Sequence, residues 1–183
     1  MNKKSLILLI VVFTTISFSY GQQAFNRNDQ AVNLGLGFGW RYHPKNNFAP
    51  MPSFNIAYEA GVYEFPGVGV ITAGGLLEYR HTRYEDKGDI YYWNSTAVTV
   101  RGAFHLGMLN TSKFDIYGGF MMGPIFNSYH NTDLADDDWG YNRAYYVFDA
   151  FLGGRIMMSD KFGIFTEMGY GISYLKLGAT FKF

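Results

Sequence analysis

From residue 31 onward, apolar and polar residues alternate one by one through eight segments of about ten residues. They cover 31–41, 53–62, 70–80, 95–105, 114–123, 145–156, 162–170 and 174–183. A period of two is that of a β-strand, whose successive side chains point to opposite faces. No stretch beyond Gly21 sustains a helical period, so the chain reads as all-β. Hydrophobic residues reach 48% while mean hydropathy is only −0.07, which requires fine interleaving rather than apolar blocks.

Sorting each segment by parity separates the charges. One face carries residues such as Val32, Leu34, Phe54, Ile56, Val98, Val100, Phe120, Phe148 and Ile164, and none of its members is charged. The opposite face holds Glu59, Glu78, Arg80, Arg101, Asp115, Asp149, Arg155, Glu167, Lys176 and Lys182. Three segments test the separation, because each has two of these charges: Glu78/Arg80, Asp149/Arg155 and Lys176/Lys182. In all three, both charges share a face.

A soluble sandwich also alternates, with polar residues turned to water. Here the polar faces are rich in Gly and Tyr rather than Lys, Ser and Thr. The apolar faces place aromatics near segment ends: Trp40, Tyr58, Tyr79, Phe104, Phe114, Tyr146, Phe162, Tyr170 and Phe183. Rings at those positions suit the headgroup region of a bilayer, and about ten residues suffice for a tilted strand to cross it. Connections alternate as well, long and polar at 43–52, 82–93 and 127–142, short at 63–67, 107–113 and 157–161. The expected fold is an eight-stranded antiparallel transmembrane β-barrel, an up-and-down meander with both termini on the periplasmic side.

The segment MNKKSLILLIVVFTTISFSYGQQ supports export. Lys3 and Lys4, the apolar run 6–13 and the small-x-small site Ser19-Tyr20-Gly21 form a secretory signal peptide. The apolar run is too short for a membrane-spanning helix. The expected organisation is a signal peptide over 1–21, cleaved near Gly21, and one barrel domain over 22–183. Losing Lys3 and Lys4 leaves a formal charge of −2, with no basic surface for nucleic acid. No cysteine is present, which excludes disulfides and a thiol nucleophile.

The stretch SYLKLGATFKF supplies the last strand, with Leu175, Leu177, Ala179, Phe181 and Phe183 on its apolar side. Because a sheet in lipid must close on itself, this strand is expected to pair with the first. The ending resembles the C-terminal signal of bacterial outer-membrane barrels, which the barrel-assembly machinery recognises. From leader to terminal Phe, the chain resembles the small eight-stranded barrels of the outer-membrane protein A and protein X type, and SYGQQ resembles Bacteroidota export junctions. The resemblance implies a Gram-negative outer-membrane protein with a porin-like wall, surrounded by membrane lipid and lipopolysaccharide. It brings no functional residue.

Eight strands enclose a lumen only wide enough for side chains. Inward glycines at 35, 37, 39, 74, 119, 123, 153, 163, 169 and 178 leave room for Arg101, Arg155, Tyr117, Tyr145 and Phe151. Five inward acids match five inward bases, and pairing is close to obligatory, because an unpaired buried charge costs several kcal/mol. Glu167 falls opposite Lys176, and Asp115 can meet Arg101 or Arg155. The network reads as a polar plug rather than an ion path.

Sites of chemistry are weak. His81, with Thr82, Glu85 and Asp86 nearby, offers the residue types of a general base and its orienter but no motif. His43, His105 and His130 have no metal-ligand spacing. The acidic stretch Asp133 to Gly140 lacks the order of a calcium loop. Outward Ala73, Gly75, Gly102 and Gly118 form a shallow groove on neighbouring strands, fit for an acyl chain or a partner barrel. The sequence therefore points to a non-enzymatic barrel without metal or cofactor, acting in envelope structure or interaction, or as a subunit of a larger outer-membrane complex. The alternatives are a lipid A-modifying enzyme and a lateral path for small hydrophobic molecules.

Overall fold

A computed structural model describes residues 24–39, 51–86, 89–109, 111–131, 141–170 and 172–183. Among them run eight strands: β1 (Gln30–Phe38), β2 (Ser53–Phe65), β3 (Gly69–Asp86), β4 (Asp89–Leu106), β5 (Phe114–Asn131), β6 (Tyr141–Met157), β7 (Phe162–Gly169) and β8 (Leu175–Lys182). Each is antiparallel to its neighbours in chain order, and β1 pairs with β8 to close the barrel. The seam runs from Ala31↔Lys182 to Phe38↔Leu175. Beyond it, the Gln30 and Phe183 backbones bond each other at 3.1 and 2.9 Å. Over the height at which all eight strands pair, closure leaves no open sheet edge, the condition for β-structure in lipid.

The parity assignment is the one observed. Phe54, Ile56, Leu77, Val98, Val100, Phe120, Phe148 and Leu152 are exposed on the outside, and Leu177, Phe181 and Phe183 face out on the closing strand. Of the aromatics at segment ends, Tyr58, Tyr79, Phe114, Tyr146 and Tyr170 are exposed and Phe104 and Phe162 half-buried. Trp40 lies outside the described residues.

Strand length differs from expectation. The polar connection over 82–93 is mostly strand, since β3 and β4 stay in register from Gly69↔Leu106 to Asp86↔Asp89. The connection expected over 127–142 shrinks to 132–140, between β5 and β6. The ladder is held by backbone hydrogen bonds, which continue where both faces turn polar and the hydropathy period vanishes. At the end away from the termini, β3 to β6 therefore stand as a wall above β7, β8, β1 and β2.

Two short segments close the lumen. At the low side of the wall, Ile172 and Ser173 between β7 and β8 are buried in the mouth. The Tyr170 amide donates to Asp149 Oδ1 at 2.7 Å and the Tyr174 amide to the Phe38 carbonyl at 3.0 Å. At the other end, residues 24–29 fold across the opening. Asn28 takes a left-handed φ of 73°, which Asn tolerates better than most residues. Its amide bonds the Gly61 carbonyl at 3.1 Å.

Candidate functional site

Nine of the ten charges assigned to the inner face are at most 4% exposed. Lys182 is the tenth. It sits at the rim, where its Nζ donates to the Ala24 carbonyl at 2.9 Å and lies 3.3 Å from Asp29 Oδ2.

The buried charges form three groups along the lumen. Near the termini, Arg155 pairs with Glu59 and, at 3.3 Å, with Asp115, which faces it in register. His105 Nδ1 lies 2.9 Å from Asp115. Midway, Arg101 from β4 crosses to Glu167 on β7, with Nη2 to Oε1 at 2.7 Å, and the Tyr117 hydroxyl donates to the same oxygen at 3.0 Å. The Arg101 guanidinium lies 4.3 Å from the Phe151 ring centre. Toward the wall end, Glu78 accepts from Ser53 at 2.5 Å and from Ser173. Arg80 donates to Ser173 Oγ at 2.8 Å and to the carbonyls of Met51 and Gly39. An apolar layer including Leu76, Ile125, Val147 and Ile172 fills the space between.

One partner and one side-chain position differ from expectation. Glu167 does stand opposite Lys176. Its hydrogen bonds nevertheless go to Arg101 and Tyr117, while the Lys176 ammonium lies 3.9 Å from Glu78. A guanidinium offers a carboxylate a two-pronged planar contact that an ammonium cannot match. Tyr145 does not cross the lumen. It is exposed on the wall, with Arg143 Nη1 3.5 Å from its hydroxyl, because β6 rises beyond β7 at that height.

His105 faces inward beside Asp115, as its parity implies, and the structure adds Thr72 to the pair. Thr72 Oγ1 is 3.3 Å from His105 Nε2, and His105 Nδ1 contacts Asp115. These are the types and order of a nucleophile, base and orienting carboxylate. The set is sealed: Thr72 is 1% exposed, and His105 stacks on Phe25 at 4.6 Å and on Tyr117 at 4.9 Å. Its contacts satisfy polar groups that are buried among the described residues. Phe25 itself gave no signal in the sequence, since it precedes the alternation. Its ring closes the terminal end of the lumen at 1% exposure, with the Arg155 guanidinium 5.4 Å from its centre.

His81 faces outward, with Nδ1 2.7 Å from Asn94 Oδ1, and stacks on Tyr92. Thr82 is buried on the other face, so the two do not meet. The side chains of Glu85, Asp86 and His130 lie outside the described residues, as do His43 and the stretch Asp133 to Gly140. Among the described residues, no group of three His, Asp or Glu side chains is arranged to hold a metal. Ala73, Gly75, Gly102 and Gly118 all lie on the outer face of β3 to β5, and the last two border a furrow.

The barrel resembles solved outer-membrane barrels. Ail, the attachment invasion locus protein of Yersinia pestis, matches with TM-score 0.51 and 15% identity, over 86% of this chain and 100% of that one. Ail in complex with the heparin analogue sucrose octasulfate matches with TM-score 0.55 and 16% identity over the same shares. The N-terminal β-barrel domain of Pseudomonas aeruginosa OprF matches with TM-score 0.51 and 10% identity, over 86% and 98%. At such identities the likeness is one of fold. No protein-family model matches the chain, and no curated protein does.

Proposed function

We propose that the protein is an integral outer-membrane β-barrel with a sealed lumen, made of residues 22–183 after removal of the leader 1–21. It acts through its exposed surfaces, in envelope structure or in contact with a partner, including as a subunit of a larger outer-membrane complex. One observation carries this reading: a closed eight-stranded sheet turns an uncharged apolar band outward and buries nine charges inside. Only a non-aqueous surrounding makes that inversion favourable.

The wall of β3 to β6 is the natural contact surface, since it carries His81, Tyr92 and Asn94 on its outer side beyond the apolar band. Among similar structures, Ail bound to sucrose octasulfate is an instance of such a barrel meeting a polyanionic sugar. Among the described residues, the set with the types of a nucleophile, base and orienter is enclosed and His81 pairs with an amide, which favours this reading over lipid A editing. Bulk passage through the lumen is blocked by the Arg101–Glu167 pair and by Phe25.

The test is extraction and migration. The protein is expected to leave membranes only with detergent and to change gel mobility on heating; a chain that stays in aqueous solution refutes the reading. Lipid A mass spectra with and without the gene are expected to match, and altered acylation would establish the enzyme instead. Co-purification in mild detergent tests the subunit role.

A further inference from the structure

The polar groups lining the lumen beside β1 are of two kinds. Ser53, Ser173 and Arg80 have protein partners. Asn33 on β1, Asn55 on β2 and Thr180 on β8 are at most 6% exposed. Yet among the described residues neither polar atom of either amide, nor the Thr180 hydroxyl, has a hydrogen-bond partner. Native interiors rarely leave such groups bare, because each gave up its bonds to solvent on folding.

The register shows what borders them. Asn55 stands opposite Glu78 on β3 and Gly35 on β1, and it leans toward β1: its Oδ1 is 3.1 Å from where a Cβ on Gly35 would be. Glu78 accepts from Ser53 and Ser173 through Oε1, while Oε2 has no hydrogen-bond partner. The Lys176 ammonium is 3.9 Å from that Oε2, within Coulombic reach but too far for a hydrogen bond. An amide, a carboxylate oxygen and an ammonium thus border one stretch of the lumen. Asn33 faces Thr180 across the closing seam. The Phe165 ring tip, 2.9 Å from the same Cβ position on Gly35, stands between the two sets.

The chemistry of the groups selects the occupant. A cation would meet the Lys176 ammonium, and an anion would meet the Glu78 carboxylate. Water donates to the carboxylate, accepts from the ammonium and serves either end of an amide, and a buried water typically makes about three such bonds.

We propose that the lumen binds ordered water at two points, one molecule bridging Lys176, Glu78 and Asn55 and another between Asn33 and Thr180. The bridge completes the Lys176–Glu78 pair and offsets part of the cost of burying both charges in a narrow cylinder.

Water–protein cross-relaxation in NMR spectra of the isotope-labelled protein in detergent tests both points. The Asn55 and Asn33 side-chain amide protons are expected to give rotating-frame cross-peaks with water of the sign that marks close contact, opposite to that of proton exchange. The methyl protons of Leu76 and Val147, in the apolar layer, should give none. Asn55→Leu removes the amide at nearly constant volume. It should raise the unfolded-to-folded ratio about tenfold, since the bridge is lost and its partners are left incomplete. Silence at Asn55 overturns the bridge, and silence at Asn33 overturns the second water. An Asn55→Leu variant at least as stable as the parent means that the amide was dry, and also overturns the bridge. Should that variant fail to fold, the parent's spectra decide alone. Cross-peaks of equal strength at the Leu76 and Val147 methyls would mean a flooded lumen rather than bound water, and overturn both.

Discussion

Gly118 and Gly119 are adjacent on β5, and a methyl group would meet different surroundings at the two positions. At Gly118, on the outside, it finds ordinary contacts from 3.4 Å. At Gly119, on the inside, it would run into the Gly102 carbonyl oxygen and the Ala103 backbone. Gly178 and Gly74 repeat the inner pattern against the carbonyls of Leu34 and Tyr58. Inside, glycine lets adjacent strands and the lumen side chains fit a narrow cylinder; outside, it leaves a hollow. The same contrast runs through the charges, which the inner face concentrates and pairs while the outer band excludes them.

The strongest way to break this comparison is at the seam. Gly178→Val should prevent closure, because a β-branched side chain at that point strikes the β1 backbone, which no rotamer change relieves. The cost should exceed the roughly 1–3 kcal/mol typical of overpacking, so that no heat-modifiable species forms. Gly118→Ala should fold as the parent does. Equal behaviour of the two variants on a heated and unheated gel would end the distinction between inner and outer glycines.

Next in size is the central ion pair. Glu167→Gln leaves Arg101 buried without its counter-charge and should cost about 3–5 kcal/mol in denaturant unfolding. Replacing both partners, Arg101→Met with Glu167→Leu, should cost less than the two single changes together. A strictly additive double variant would mean that the pair is not a unit.

Phe25→Ala should follow, at about 3 kcal/mol, for the loss of a buried ring against His105 and Arg155. Conductance in planar bilayers should stay absent, since the Arg101–Glu167 pair still blocks the middle. Measurable current would make Phe25 the seal and the ion pairs secondary.

These effects also show what the sequence could reveal. The faces were legible because a period of two, combined with charge, leaves one consistent phase per strand. The Glu167↔Lys176 register was legible because a tight hairpin fixes it. The Arg101–Glu167 contact was not, since it joins β4 to β7 across the lumen and depends on how the closed barrel is staggered rather than on strand adjacency. The upper reaches of β3 to β6 were hidden because residues such as Thr82, Arg83, Asn94 and Ser128 carry no hydropathic alternation. Phe25 was hidden for another reason: a lone ring ahead of β1 has no period to belong to.

The smallest effect concerns depth within the inner face. Lys176 and Lys182 share parity on β8, but Lys176 is 1% exposed and Lys182 lies at the rim. An ammonium near water loses little hydration on pairing and gains little from it, so Lys182→Ala should cost no more than about 1 kcal/mol. That cost should shrink further in high salt, because exposed pairs are screened. Lys176→Ala should cost several-fold more and respond weakly to salt, since it strips a buried cation from beside Glu78. Unfolding both variants in detergent at low and high salt separates the cases. If the two lysines behave alike, facing inward would suffice to set the energy of a charge. If they differ as expected, distance from the mouth matters as much as the face.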